Sequence, residues 1–190
     1  MSFSKIRFQH PFFLLLLSLF ISTSLQLTAQ ERYKIVFPNV HFFAGTPFED
    51  IDGTSDKLVG ILDVAKNEFA FRIAMNSFQF PRALMQEHYN ENYLETEKFP
   101  NADFKGSIEG DIDWETNGTY DVIAKGEFIV HGVAKFYEIP TSIRVQDGEN
   151  KIKAIFEILL KDHEIKIPKI VILKIADSAE VTVEASLEAF

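Results

Sequence analysis

Apolar and polar residues alternate strictly along several segments of this chain, and no other property of the sequence restricts the possible folds as much. Residues 180–188 alternate most strictly, because Val181, Val183, Ala185 and Leu187 are separated by polar residues. Successive side chains of a β-strand point to opposite faces, so this pattern predicts a strand with one apolar face and one polar face. Further alternating segments cover residues 68–76, 120–130 and 151–160, and weaker ones cover residues 33–37, 40–44, 58–64, 103–113 and 135–145.

Turn-forming residues separate these predicted strands. Asn117-Gly118 and Asp147-Gly148 are strong signals for hairpins, and residues 65–68 indicate another. Residues 50–53, with the sequence Asp-Ile-Asp-Gly, are also interpreted as a turn. Short strands joined by hairpins favour an antiparallel barrel or sandwich.

One segment has helical periodicity instead. Pro81 suits a first helical turn, Leu84, Met85 and His88 share one face, and Asn90 is a suitable stop residue. We therefore predict a helix over about residues 81–92, inserted between strands, and a shorter second helix near residues 167–175.

The first 29 residues have the three-part pattern of a secretory signal peptide. Lys5 and Arg7 precede an uncharged run over residues 11–21, and Leu27-Thr28-Ala29 offers a cleavage site before Gln30. A spanning helix needs roughly 20 apolar residues, about twice the length of this run. We expect cleavage, a mature domain of residues 30–190 and no stable transmembrane span; the alternative is an uncleaved anchor.

Charge and cysteine content exclude several classes of function. Residues 1–29 carry two positive charges and no negative ones, so the formal net charge of −9 becomes −11 after cleavage. A chain this acidic lacks the positive surface that binds phosphate backbones, and we expect no nucleic-acid partner. The chain has no cysteine, which excludes disulfides, thiolate catalysis and Cys-based metal sites.

Motifs for metals, cofactors and catalysis are also missing from the sequence. The histidines of the mature chain, His41, His88, His131 and His163, form no pair at a metal-ligand spacing. Residues 111–115 resemble the start of a calcium loop, but the sixth position is threonine and the twelfth is valine. We expect no metal, no cofactor and no catalytic residue.

Phenylalanine is unusually abundant, with 19 copies. Aromatic residues on the inward faces of about eight strands can either fill a barrel or line a cavity for one slender ligand. A buried lipid tail gains about 0.8 kcal/mol per CH₂ group, so its binding needs no catalytic group. We expect Leu84 and Met85 to plug or gate one end, and the residues expected to line the cavity are Phe69, Phe71, Ile73, Phe104, Val122, Phe128, Val130, Phe156, Ile158, Val181 and Val183.

Several motifs together resemble the YceI-like family. Residues 85–95, followed by Phe99-Pro100 and Phe104-Lys105-Gly106, are similar to its central signature of a histidine-bearing helix, an aromatic-proline step and an F-x-G strand. Residues 126–133 resemble its glycine-flanked strand, and residues 156–183 resemble its C-terminal part. The resemblance covers nearly all of the mature chain, although residues 40–47 depart from the family's usual first strand.

This resemblance implies a lipocalin-like antiparallel barrel in the bacterial periplasm. It also implies a long internal cavity for a polyisoprenoid or a similar amphiphilic lipid. The protein would then be a carrier, with the apolar chain inside and the polar head at the open end. The sequence leaves both a monomer and a homodimer open.

Two alternatives to the carrier are a hydrolase and an outer-membrane barrel. A hydrolase-type enzyme on a small hydrophobic substrate would use His88 with a serine or carboxylate brought close by folding; without a diagnostic partner spacing, a structural role for His88 is favoured. An outer-membrane barrel would need apolar residues on the outward face of residues 180–188. That face carries Thr182, Glu184, Ser186 and Glu188 instead.

Overall fold

The computed structural model describes residues 32–45, 50–166 and 177–190. The predicted signal peptide and the predicted helix near residues 167–175 lie outside these ranges. The described chain contains one α-helix, α1 (Ala83–His88), and nine strands. The strands are β1 (Arg32–Gly45), β2 (Asp50–Ser55), β3 (Val59–Asp63), β4 (Glu68–Ala74), β5 (Asn101–Glu109), β6 (Gly118–Val130), β7 (Val133–Val145), β8 (Asn150–Leu159) and β9 (Ser178–Ala189).

The strands form a closed antiparallel barrel. Each strand from β3 onward pairs with the next, and β9 closes the barrel by pairing with β1. The long strand β1 has two partners on its other side, β3 along Arg32–Lys34 and β2 along Val40–Gly45. The barrel therefore has eight strands, with β2 extending the wall. This confirms the predicted all-β, lipocalin-like barrel with one inserted helix.

The interpretation of residues 50–53 as a turn is wrong, because these residues belong to β2. Asp52 pairs with Phe43 and Gly53 pairs with Phe42, and the Asp52 carboxylate lies 3.0 Å from Nε2 of His41. Aspartate and glycine are poor strand formers. The free edge of β1 compensates by supplying backbone hydrogen-bond partners.

Turns are present close to residues 65–68 and at Asp147-Gly148, as predicted. The turn predicted at Asn117-Gly118 is wrong, because residues 110–117 form a longer connection and Gly118 is the first residue of β6. A tighter turn joins β6 to β7. Only His131 and Gly132 connect these strands, with φ angles of 52° and 74°. Two successive positive φ angles are the requirement of a type I′ turn, whose twist matches that of the flanking strands. The turn fixes the register between β6 and β7, which pair along their full length.

Strands β5 and β6 come closest together at two paired glycines, Gly106 and Gly126. A side chain at Gly106 would collide with the backbone carbonyl of Lys125, and one at Gly126 would collide with that of Lys105. Only glycine therefore allows this approach of the two strands.

The two ends of the barrel are closed differently. At one end, here called the helix end, residues 75–100 connect β4 to β5 and include α1. At the other, the tryptophan end, residues 110–117 connect β5 to β6, and Trp114 stacks on Tyr33 with ring centroids 4.9 Å apart.

The helical segment is shorter and less regular than predicted. Helix α1 is followed by a π-helical turn, Tyr89–Tyr93, in which the Leu94 N–H donates to the Tyr89 carbonyl at 3.0 Å. The N–H of Phe80 donates to the Gln86 side chain at 3.3 Å, close to the start of α1. Tyr89 and Leu94, which flank the π-helical turn, are both buried.

Charged residues pair across the outer face of the barrel. The Lys34 ammonium lies 2.6 Å from the Glu188 carboxylate, and that of Lys153 lies 2.7 Å from the Glu184 carboxylate. Exposed pairs of this kind contribute about 0–1 kcal/mol each, so the stability of the fold comes mainly from its interior. None of the described helices is long and apolar enough to cross a membrane.

Candidate functional site

The interior of the barrel contains a cavity of about 180 Å³. Its wall draws side chains from β1, from every strand between β3 and β9 and from the helix end, and nearly all of them are apolar. An apolar cavity of about 150 Å³ in another protein core stays dry and binds benzene. The cavity found here is therefore suited to a hydrocarbon segment.

Most of the predicted lining residues meet at this cavity. Period-two alternation placed them correctly, because the inward face of each strand is also its apolar face. Val122 is an exception: it is buried in the core near the tryptophan end and does not line the cavity. The predicted residues that do line it are Phe69, Phe71, Ile73, Phe104, Phe128, Val130, Phe156, Ile158, Val181 and Val183.

The placement expected of Leu84 and Met85 is wrong. Leu84 is 61% exposed, Met85 is half-buried, and neither lines the cavity. The helical segment instead contributes Tyr89 and Leu94 to the wall. None of the six residues of α1 is buried, so the side chains that reach the cavity come from the residues that follow the helix.

Aromatic rings form a continuous band in the cavity wall. The ring centroids of Phe69 and Phe104 are 4.7 Å apart, those of Phe104 and Phe128 are 5.8 Å apart, and those of Phe128 and Phe156 are 5.9 Å apart. These contacts run from β4 through β5 and β6 to β8, around the barrel. The rings meet edge to face or tilted, which is a favourable arrangement for aromatic pairs, and they leave the cavity open.

A second aromatic group covers the helix end of the cavity. The ring of Tyr89 lies 4.7 Å from that of Phe80 and 5.9 Å from those of Phe42 and Phe78, measured between centroids. Tyr89 is only 5% exposed, and its hydroxyl is buried without a hydrogen-bond partner in the described part of the chain. Burial raises the pKa of Tyr89 above its ordinary value, so the phenol stays protonated.

Sequence reasoning did not select Tyr89. The residue entered the prediction only as part of a family motif, while the helical pattern placed Leu84 and Met85 inward. The available signal was its aromatic side chain four residues after Met85, on the same face of a regular helix.

A polar network supports the wall behind the helix end. Nδ1 of the fully buried His163 donates to the Val133 carbonyl at 3.1 Å, and its Nε2 accepts from the Tyr137 hydroxyl at 3.1 Å. The imidazole of His131 lies 3.1 Å from the His163 carbonyl and 3.0 Å from the Glu95 carboxylate. The network ties the β6–β7 hairpin to the segment after β8, whose residues Leu160 and Ile165 line the cavity.

The cavity wall offers contact with hydrocarbon and little acid–base chemistry. Among the described lining residues there is no histidine, aspartate or glutamate; His88 lies half-buried on α1, outside the lining. The Thr141 hydroxyl donates to the Ile139 carbonyl at 3.1 Å. In the described ranges, no three His, Asp or Glu side chains come together as a metal site would require.

Comparison with known proteins agrees with this geometry. The model of the YceI-like domain family matches residues 29–189. No curated protein matches the sequence.

Solved structures with the same fold come from several bacteria. A polyisoprenoid-binding domain from Saccharophagus degradans, implicated in plant cell wall breakdown, has a TM-score of 0.68 at 14% identity, covering 85% of this chain and 99% of that one. BcnA of Burkholderia cenocepacia has a TM-score of 0.65 at 15% identity, covering 78% of this chain and 95% of the other. The YceI protein of Campylobacter jejuni has a TM-score of 0.57 at 16% identity, over 75% and 86% of the two chains.

Proposed function

This chain belongs to the YceI-like domain family, and from that premise we propose that it is a periplasmic carrier that holds a polyisoprenoid or similar long-chain amphiphile inside its barrel. The single observation that carries the proposal is the closed barrel with an apolar internal cavity of about 180 Å³. The polyisoprenoid binding named for the Saccharophagus degradans domain supports the class of ligand.

The proposed mechanism is sequestration without bond chemistry. Each CH₂ group that moves from water into the cavity contributes about 0.8 kcal/mol, so several carbons give useful affinity. The aromatic band supplies flat, apolar walls against which a branched chain can pack. The hydrolase alternative has no comparable support, since His88 lies outside the described lining.

Export to the periplasm is part of the proposal. It is supported by the signal-peptide pattern of residues 1–29, with cleavage expected between Ala29 and Gln30. A carrier in that compartment would shield an apolar chain from water on its way between membranes.

Lipid recovery from the periplasm tests the function. The full chain is expressed in a bacterial host, purified from the periplasmic fraction, extracted with organic solvent and analysed by mass spectrometry. We expect a co-purifying lipid and a protein mass that corresponds to residues 30–190. Recovery only from the cytoplasm, or of the uncleaved chain, would contradict the proposed location.

A pair of alanine variants locates the lipid. Ala154 lines the cavity, whereas Ala70 is exposed on the outer face of β4. Ala154→Phe places a ring in the space needed by the lipid, so we expect about tenfold or more loss of bound lipid, while Ala70→Phe keeps it. Equal lipid content in both folded variants would show that the lipid is not in the cavity.

A further inference from the structure

We propose that the Tyr89 hydroxyl donates a hydrogen bond to an uncharged oxygen of the ligand, and that the ligand is a neutral amphiphile whose polar group enters the barrel at the helix end. The inference rests on the proposed lipid-binding function. It adds the chemical class of the ligand and the residue that selects it.

The hydroxyl of Tyr89 is buried and unsatisfied. Tyr89 lines the cavity and is 5% exposed, and no described residue forms a hydrogen bond with its hydroxyl. Burial of a hydroxyl without a partner costs free energy, and native structures retain few such groups. Phenylalanine would fill the same space without that cost. The hydroxyl is therefore explained by a partner that arrives with the ligand.

Within the described ranges, the surroundings of Tyr89 supply no other partner. Its ring neighbours Phe42, Phe78 and Phe80 are hydrocarbon, and so is Leu94 on the same segment. A buried water would need two or more polar partners to remain there. An oxygen on the ligand is the remaining acceptor. Because burial raises the pKa of Tyr89, the phenol is a donor throughout the physiological range.

The charge of the wall indicates that this oxygen is uncharged. Arg72 is the one basic residue among the described lining residues, and its guanidinium is bound to the Asp103 carboxylate at 2.6 and 3.1 Å, on the exposed surface. An anionic phosphate or carboxylate inside would thus be buried without a counter-charge, which is far more costly than burying an alcohol, ester or carbonyl group.

The backbone at Tyr89 supports a specific role. Tyr89 begins the π-helical turn, and turns of this kind are rare and frequently lie at functional sites. Tyr89 lies at the cavity wall, whereas Leu84 on α1 is exposed.

Matched lipids and a hydroxyl-deleting variant test the inference. The probes are farnesol, the hydrocarbon farnesane and farnesyl diphosphate, which share one carbon skeleton. Their affinities are measured by displacement of N-phenyl-1-naphthylamine from the delipidated full mature protein. The variants are Tyr89→Phe and Tyr120→Phe; the Tyr120 hydroxyl donates to the Thr116 carbonyl away from the cavity lining and is the control.

We expect wild-type protein to prefer farnesol to farnesane by about tenfold. Tyr89→Phe should abolish this preference by weakening farnesol binding alone, and Tyr120→Phe should retain it. Farnesyl diphosphate should bind more weakly than farnesol. A preference that survives Tyr89→Phe, or tightest binding of the diphosphate with no effect of Tyr89→Phe, would overturn the inference.

The two proposals fail in different ways. Wild-type protein that binds both uncharged probes without preference overturns only the role of Tyr89. Wild-type protein that binds neither overturns the carrier function as well. In the ligand-free state, Tyr89→Phe should unfold at the same or a higher temperature than wild type; a lower unfolding temperature would reveal an existing partner for the hydroxyl and refute the inference.

Discussion

The imidazole of His163 combines complete burial with two hydrogen bonds. Nδ1 donates to the Val133 carbonyl and Nε2 accepts from Tyr137, so the neutral form satisfies both nitrogens. Burial, the largest effect, lowers the pKa of His163 below its ordinary value, as does the nearby Lys135; backbone carbonyls and Asp162 act in the opposite direction. The neutral imidazole is thus the form that the folded protein favours.

This lowered pKa predicts a loss of stability in acid. Below about pH 6.5, His163 becomes protonated in the unfolded chain but stays neutral in the folded protein. The free energy of unfolding therefore falls by up to about 1.4 kcal/mol per pH unit. The contribution of His163 to this decrease ends once the pH is below the lowered pKa of the folded state. Urea unfolding from pH 8 to pH 5 measures the effect, and His163→Gln, which does not titrate, should show a shallower dependence. Parallel curves for the two proteins would contradict this prediction.

Individual wall residues were predictable to the extent that their position depended on strand alternation alone. Phe71 and Phe156 face inward because the next inward position is always two residues away. Tyr89 and Leu84 were not predictable in this way, since the residues of α1 remain outside the core and the wall residues come from the segment after the helix. Burial of the Tyr89 hydroxyl also depends on Phe42, whose ring packs against that of Tyr89 although the two residues are distant in sequence.

Whole strands, like single residues, were predictable only where local alternation determined their position. β6, β8 and β9 have strong alternation and were predicted nearly to their ends. β2 was missed because its Asp-Ile-Asp-Gly start has turn chemistry, and it becomes a strand only through the partner edge of β1. The local sequence pattern predicts strands whose residues favour the extended conformation. Strands without that pattern, such as β2, form because a partner strand pairs with them.

Because β5 and β6 approach closely at Gly106, we expect the loss of stability caused by a glycine-to-alanine substitution to depend strongly on which glycine is replaced. Gly106→Ala would drive a methyl group into the Lys125 carbonyl, so we expect a loss of about 1–3 kcal/mol in the free energy of unfolding. Gly118→Ala is the control, since its methyl group would meet only the end of the Tyr120 side chain at 3.3 Å, and we expect a change within about 0.5 kcal/mol. Urea unfolding at neutral pH measures both. Similar small losses in the two variants would disprove the steric argument.

The barrel as a whole depends on contacts between its first and last strands. β1 and β9 pair along most of their length, so the cavity is enclosed only when the described chain is folded throughout. The cavity inside this closed sheet is lined by side chains from β1 and from every strand between β3 and β9. If the proposed lipid binds in this cavity, we expect it to stabilise the molecule as a unit.

Lipid removal should lower the thermal stability of the whole protein. A ligand at a hundred times its dissociation constant adds about 2.7 kcal/mol, which corresponds to a rise of about 5–10 °C in Tm for a domain of this size. Differential scanning calorimetry of delipidated and reloaded protein measures the difference. Ala154→Phe should show little response to added lipid, and a wild-type Tm that does not depend on lipid would count against binding in the cavity.

Trp114, which stacks on Tyr33, is an intrinsic fluorescence probe in this protein. The chain has a single tryptophan, and it lies at the end of the barrel opposite Tyr89. Its indole packs against the core that includes Leu62 and Leu187, both of which also face the cavity. Ultraviolet emission from this one fluorophore therefore comes from the far end of the barrel, where only a tail long enough to reach it can alter the signal.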